Sequence, residues 1–148
     1  EGFTATVQVL LKAGADASLR NNKGHTPLQW AAHFEHEETA LVLRQHTSAG
    51  EIAASTPAPA APAKATSALP SQGWIFPKTL ANAAGFGDER SVLAWLEQGG
   101  KVNARCVTAN SITLLMCASG GDNPTLVRLL LQRKASPDLQ ADNGGTAL

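Results

Sequence analysis

His33-Phe34-Glu35-His36-Glu37-Glu38 is the one stretch of the chain where metal-binding residue types crowd together. His33 and His36 stand three apart, so a helix would place them on one face. Zinc needs three or four converging ligands. This spacing supplies two, so no metal site is assigned. The two cysteines are Cys106 and Cys117. A thiol nucleophile needs a neighbour that lowers its pKa, and no histidine lies near either in sequence. Cys117 reads as a packed helix residue and Cys106 as an exposed loop thiol. Gly85-Phe86-Gly87 and Gly120-Gly121-Asp122 are loop glycines with no strand before them and no Lys-Ser/Thr after them, so neither reads as a phosphate loop. No Ser-His-Asp set or carboxylate pair can be argued from spacing. The sequence therefore points away from an enzyme and names no cofactor.

Charge narrows the partners. The 148 residues carry 12 Lys and Arg against 12 Asp and Glu. Residues 1–48 hold four basic and five acidic side chains, residues 49–78 two and one, and residues 79–148 six and six. No region has the positive excess that attracts nucleic acid or an anionic membrane. No apolar run approaches the ~20 residues that cross a bilayer. Two separated thiols fit a reducing, intracellular compartment, cytoplasmic or nuclear. The opening Glu1-Gly2-Phe3 and the closing Gly145-Thr146-Ala147-Leu148 both read as cuts through a structural unit.

The elements that would position any site repeat. Thr26-Pro27-Leu28-Gln29-Trp30-Ala31-Ala32 returns as Thr113-Leu114-Leu115-Met116-Cys117-Ala118-Ser119. Thr146-Ala147-Leu148 begins it again, 33 residues after Thr113. Val9-Leu10-Leu11-Lys12-Ala13-Gly14-Ala15-Asp16 returns as Ala94-Trp95-Leu96-Glu97-Gln98-Gly99-Gly100-Lys101 and as Leu129-Leu130-Leu131-Gln132-Arg133-Lys134-Ala135-Ser136. Thr26 suits a helix N-cap, with Pro27 at the first helical position. Leu126, Val127, Leu129, Leu130 and Leu131 give a second helix its apolar face. Gly14 and Gly99 stand where a left-handed residue stops that helix. Asn22-Lys23-Gly24 and Asp142-Asn143-Gly144 are turns between units. Trp30 and Trp95 read as core residues between neighbouring helices.

On these residues the chain resembles the ankyrin-repeat family, whose unit of about 33 residues carries a T-P-L-H-x-A motif. Gly24-x-Thr26-Pro27-Leu28-Gln29-Trp30-Ala31-Ala32 matches it with Gln29 in the His position. Leu10-Leu11-x-x-Gly14-Ala15-Asp16 matches the end of the second helix. The resemblance covers roughly 1–47 and 78–148. It implies an all-α repeat solenoid of helix-turn-helix units with β-turn fingers. Five units follow: 1–20 without a first helix, 21–47, about 78–104, about 105–140, and 141–148. The finger from Arg105 to Ile112 is two residues longer than usual.

Residues 48–77 interrupt the repeats. Four of the eight prolines lie between 57 and 70, among alanines. Such a composition buries too little apolar surface to offset ordering entropy, so a flexible or polyproline-like linker is expected. The domains are then repeats at 1–47, linker at 48–77 and repeats at 78–148, read as two arrays on a tether in preference to one solenoid. Trp74-Ile75-Phe76 is expected to lie over the exposed end of the third unit. Each array alone has about two full units, which predicts marginal stability.

The resemblance also implies a function, the holding of another protein in the groove of finger tips and first helices. Carried onto this chain it points to Arg20, Asn22, Lys23, His25, His33 and Phe34, and to Arg105, Asn110, Ile112, Gln140, Asp142 and Asn143. Phe34, Arg20 and Arg105 are the expected anchors. The alternative is a substrate-recruiting region of a larger enzyme. Asn103 sits where the family can carry asparagine hydroxylation, and Thr56-Pro57 has the form of a proline-directed phosphorylation site.

Overall fold

The structure is a computed structural model that describes residues 3–47, 75–106 and 110–148. Most of the Pro/Ala segment, with Thr56 and Trp74, lies outside the described residues. The described elements run α1 (Thr4–Lys12), α2 (Pro27–His33), α3 (Glu37–Thr47), α4 (Lys78–Gly85), α5 (Glu89–Glu97), β1 (Arg105–Cys106), β2 (Ile112–Thr113), α6 (Leu114–Gly120) and α7 (Pro124–Gln132).

Local chemistry explains the helix starts. The Thr26 hydroxyl accepts from the Gln29 N–H at 3.3 Å, and the Gln29 amide oxygen accepts from the Thr26 N–H at 3.0 Å. This reciprocal capping box satisfies two otherwise orphaned donors, and it gives the Gln29 departure from the family motif a structural role. Thr113 and Met116 repeat the arrangement, with the Met116 sulfur as acceptor. Second-helix ends are set by backbone geometry. Gly14 and Gly99 take φ +89° and +95°, a region most side chains avoid. Lys134 holds the same position after α7 at φ +66°.

The first helices contribute small residues where neighbours approach. Ala84 and Ala118 are fully buried where α4 packs on α6. The second helices contribute aliphatic faces: Leu10 and Leu11 from α1, Val92 from α5, and Leu126, Val127 and Leu130 from α7. Phe76 is 1% exposed and meets the Trp95 ring edge-on at 6.1 Å. Its N–H donates to the Arg105 carbonyl at 3.3 Å. The last residues of the 48–77 segment thus pack onto the following unit.

The N-terminal and C-terminal segments touch directly. Helix α1 packs against both α3 and α7, and Leu10 is buried within the cluster built by α4, α6 and α7. Leu148 in turn packs with Val7, Leu11, Ala31 and Leu43. A tether between two separate arrays describes this contact poorly. The reason is physical: α1 and the Thr146-Ala147-Leu148 start each expose an apolar face that its own array does not cover.

Two further expectations are corrected. Cys106 is wholly buried, because β1 pairs antiparallel with β2 (Cys106 opposite Ile112) and turns its thiol inward. Trp30 is 43% exposed, because its ring lines an open cleft beside α2.

Candidate functional site

Exposed aromatic rings gather at one end of α2. Trp30 meets Phe34 at 5.1 Å in an edge-on arrangement, His25 at 5.8 Å and His33 at 6.2 Å. His33 and Phe34 are 5.1 Å apart, edge to face. His36 stacks on Phe34 at 6.4 Å and meets Phe3 at 6.1 Å. Phe34 is 51% exposed. Such clusters gain from quadrupole-matched contacts, but their exposed faces remain available. Helix α2 positions Trp30 and His33 three residues apart on one side. Glu35, at φ +58°, turns the chain so that His36 returns to the same cluster.

The histidines here touch aromatic rings. Among the described residues no three His, Cys, Asp or Glu side chains converge on a point. His33 and His36 both face Phe34, which separates them.

Beside the cluster opens a cleft of about 370 Å³. Its walls are Pro27, Trp30 and Ala31 of α2 and Met116, Ser119 and Gly120 of α6. Phe3, Val7, Leu43 and Leu148 also line it, together with His25, His36 and Thr39. No lysine, arginine, aspartate or glutamate lines it.

The finger residues divide into two groups. Several are spent on bonds within and between fingers. The Asn22 amide donates to the Asp142 carbonyl at 2.8 Å, and the Asn22 N–H donates to the Asn143 carbonyl at 3.1 Å. The Arg105 guanidinium donates to the carbonyls of Gln140 at 2.8 Å and Ser111 at 3.3 Å. Gln140 donates to the Arg20 and Gly144 carbonyls. Asp142 accepts from the Ser111 hydroxyl at 2.8 Å. Asn143 closes its own turn by accepting from the Gly145 N–H, and Ile112 is half-buried in β2. Arg20 donates to the Gly24 carbonyl at 2.9 Å. The side chains of Lys23, His25, His33, Phe34 and Asn110 are exposed.

Asn103 is half-buried, and its side-chain oxygen accepts from the Ser136 N–H at 2.9 Å. Cys117 is half-buried, and burial, with the neighbouring Cys106, raises its thiol pKa to about 11. Trp30, absent from the sequence-derived binding residues, is the ring that joins His25, His33 and Phe34. The missing signal was the cleft beside α2 that Trp30 lines, which no sequence period reports.

None of the described helices is long and apolar enough to cross a membrane. Comparison with curated proteins gave no match. Residues 110–142 match the family model of the ankyrin repeat, a unit that generally mediates protein–protein contact and is generally non-catalytic. That match spans β2, α6, α7 and the finger that follows, so this segment is similar to an ankyrin repeat.

Proposed function

We propose that this chain is a protein-interaction module whose partner lies against the fingers and first helices, anchored on the rings of Trp30 and Phe34. The observation that supports this reading is the exposed aromatic cluster of α2. Large apolar rings held rigidly at a surface are the residue type that dominates binding energy at protein interfaces. Arg20, Lys23, His25, His33 and Asn110 would supply the polar rim. Asn22, Arg105, Ile112, Gln140, Asp142 and Asn143 act chiefly by holding the fingers in register. Near-neutral regional charge favours a protein partner over nucleic acid or an anionic membrane. The buried and half-buried thiols suit a reducing, intracellular setting.

The units would stack in the spatial order 78–104, 105–135, a composite of 136–148 with 3–19, and 20–47. The same bond recurs at successive junctions. Asn103 Oδ1 accepts from the Ser136 N–H at 2.9 Å, and Asp138 Oδ1 accepts from the Asp16 N–H at 2.8 Å. The test is affinity capture with the wild-type chain and with the Trp30→Ala/Phe34→Ala double variant. Partners retained by the wild type should be lost from the variant. An unchanged capture profile, with folding verified by circular dichroism, overturns the reading.

A further inference from the structure

Helices α1 and α7 pack side by side, and a groove of about 510 Å³ lies between them. Its polar lining is Gln8 and Lys12 on α1 and Thr125, Arg128 and Gln132 on α7, and no carboxylate lines it. All five side chains are exposed, and none makes a hydrogen bond or ion pair among the described residues. The side chains of Asn22, Arg105 and Gln140, by contrast, are spent on carbonyls. Val9 and Leu129, both half-buried, add apolar surface to the groove. The repeat register pairs Gln8 with Arg128 and Lys12 with Gln132, as it pairs Leu10 with Leu130. Each of two successive helical turns therefore brings one cation and one amide to the groove. Charge around it is one-sided: residues 4–15 and 123–137 carry Lys12, Arg128, Arg133 and Lys134 and no acid. The described carboxylates that flank these stretches are engaged, Asp16 by the Ser18 hydroxyl, Asp122 by the Thr6 hydroxyl and Asp138 by the Asp16 N–H.

We propose that this groove takes a short, acidic, extended segment of a partner protein. No finger or α2 residue lines it, so it is a second surface that does not depend on the aromatic anchor. Three features select that occupant. The Arg128 guanidinium offers paired N–H donors to one carboxylate. The Lys12 ammonium stands one turn further, about 6 Å along the helix pair. That distance suits carboxylates two or three residues apart on an extended chain. The Gln8 and Gln132 amides both donate and accept, as the backbone of such a chain requires. Val9 and Leu129 reward an apolar side chain between the acids, which a polynucleotide backbone or a free phosphate does not carry. A basic segment would meet only like charge here.

The probe is an end-capped peptide with two glutamates on each side of a central leucine, titrated into the ¹⁵N-labelled full chain. Saturable shifts are expected at the amides of Gln8, Val9, Lys12, Arg128 and Leu129. Lys12→Gln/Arg128→Gln should weaken binding about fivefold. Both positions are exposed, so the fold should survive the change, as circular dichroism would verify. Raising salt from about 50 mM to about 300 mM should also weaken binding. The same peptide with glutamine in place of glutamate should leave the amides unmoved, and Trp30→Ala/Phe34→Ala in the chain should leave the affinity unchanged. Absence of saturable shifts, equal binding of the glutamine peptide, or equal binding by Lys12→Gln/Arg128→Gln overturns the proposal. Tighter binding of a short single-stranded oligonucleotide than of the peptide overturns it as well, by assigning the groove to phosphate.

Discussion

The hydroxyl of Thr6 on α1 donates to Oδ1 of Asp122, in the loop before α7, at 2.7 Å across 116 residues of sequence. Thr6 is fully buried, and Asp122 holds φ +52° to meet it. This bond ties the N-terminal helix to the C-terminal units. Thr6→Val keeps the shape and removes the donor. It should lower unfolding free energy by about 1–2 kcal/mol, read from urea denaturation, and Thr6→Ser should recover most of the loss. Equal stability of Thr6→Val and wild type would mean that α1 docks by apolar contact alone.

Gly144 approaches Asn22 so closely that an added Cβ would overlap the Asn22 backbone N–H and side-chain oxygen. Its φ is +75°. Gly14 has a similar φ of +89°, but nothing lies within 4 Å of a Cβ there. Gly14→Ala should therefore cost only backbone strain, about 1 kcal/mol. Gly144→Ala adds the clash and should cost at least about 2 kcal/mol. It should also raise hydrogen exchange at the Asn22 amide, which donates to Asn143. Matching costs for the two variants would show that the fingers separate freely.

Thiol chemistry should be slow in the native state. With its pKa near 11, Cys117 holds roughly one thiolate in a thousand at pH 8, and Cys106 is wholly buried. Iodoacetamide labelling at pH 8 should wait on unfolding, while addition of urea past the transition should expose both thiols. As pH rises toward 11 the Cys117 rate should climb. Rapid labelling of either cysteine at pH 7 in buffer contradicts this packing.

Acid should loosen two turns. Asp88 caps α5, and its carboxylate accepts from the Ser91 hydroxyl at 2.6 Å and the Ser91 N–H at 3.2 Å, which lowers its pKa below 3.8. Hydrogen bonds from the Ser18 hydroxyl and N–H lower that of Asp16 in the same direction. A carboxyl depressed in the folded state binds fewer protons there than in the unfolded chain. Its stabilisation is therefore complete above the unfolded value and fades as pH falls through the folded one. Asp88→Asn should flatten the loss of thermal stability below pH 4, compared with wild type in the same buffers. An unchanged acid limb would remove the Asp88 cap from the pH response.

The repeat was legible because its physics is local. Thr26 and Thr113 mark helix starts through bonds to residues three positions on. Gly14 and Gly99 mark helix ends through backbone freedom that travels with the residue. The aliphatic faces of α1 and α7 follow from helical spacing, so helix pairs and fingers could be read in order along the chain. Of the finger and α2 residues that the resemblance pointed to, Arg20, Asn22, Lys23, His25, His33, Phe34, Asn110, Asp142 and Asn143 are exposed. Arg105 and Gln140 defeated the same reasoning, because their bonds reach carbonyls of other fingers. Which face of α1 meets α7, and that Trp30 lies beside an open cleft, depend on units 100 or more residues apart meeting in space. Burial is a sum over neighbours. Sequence period says which side of a helix is apolar, but only the tertiary structure decides whether another helix covers it.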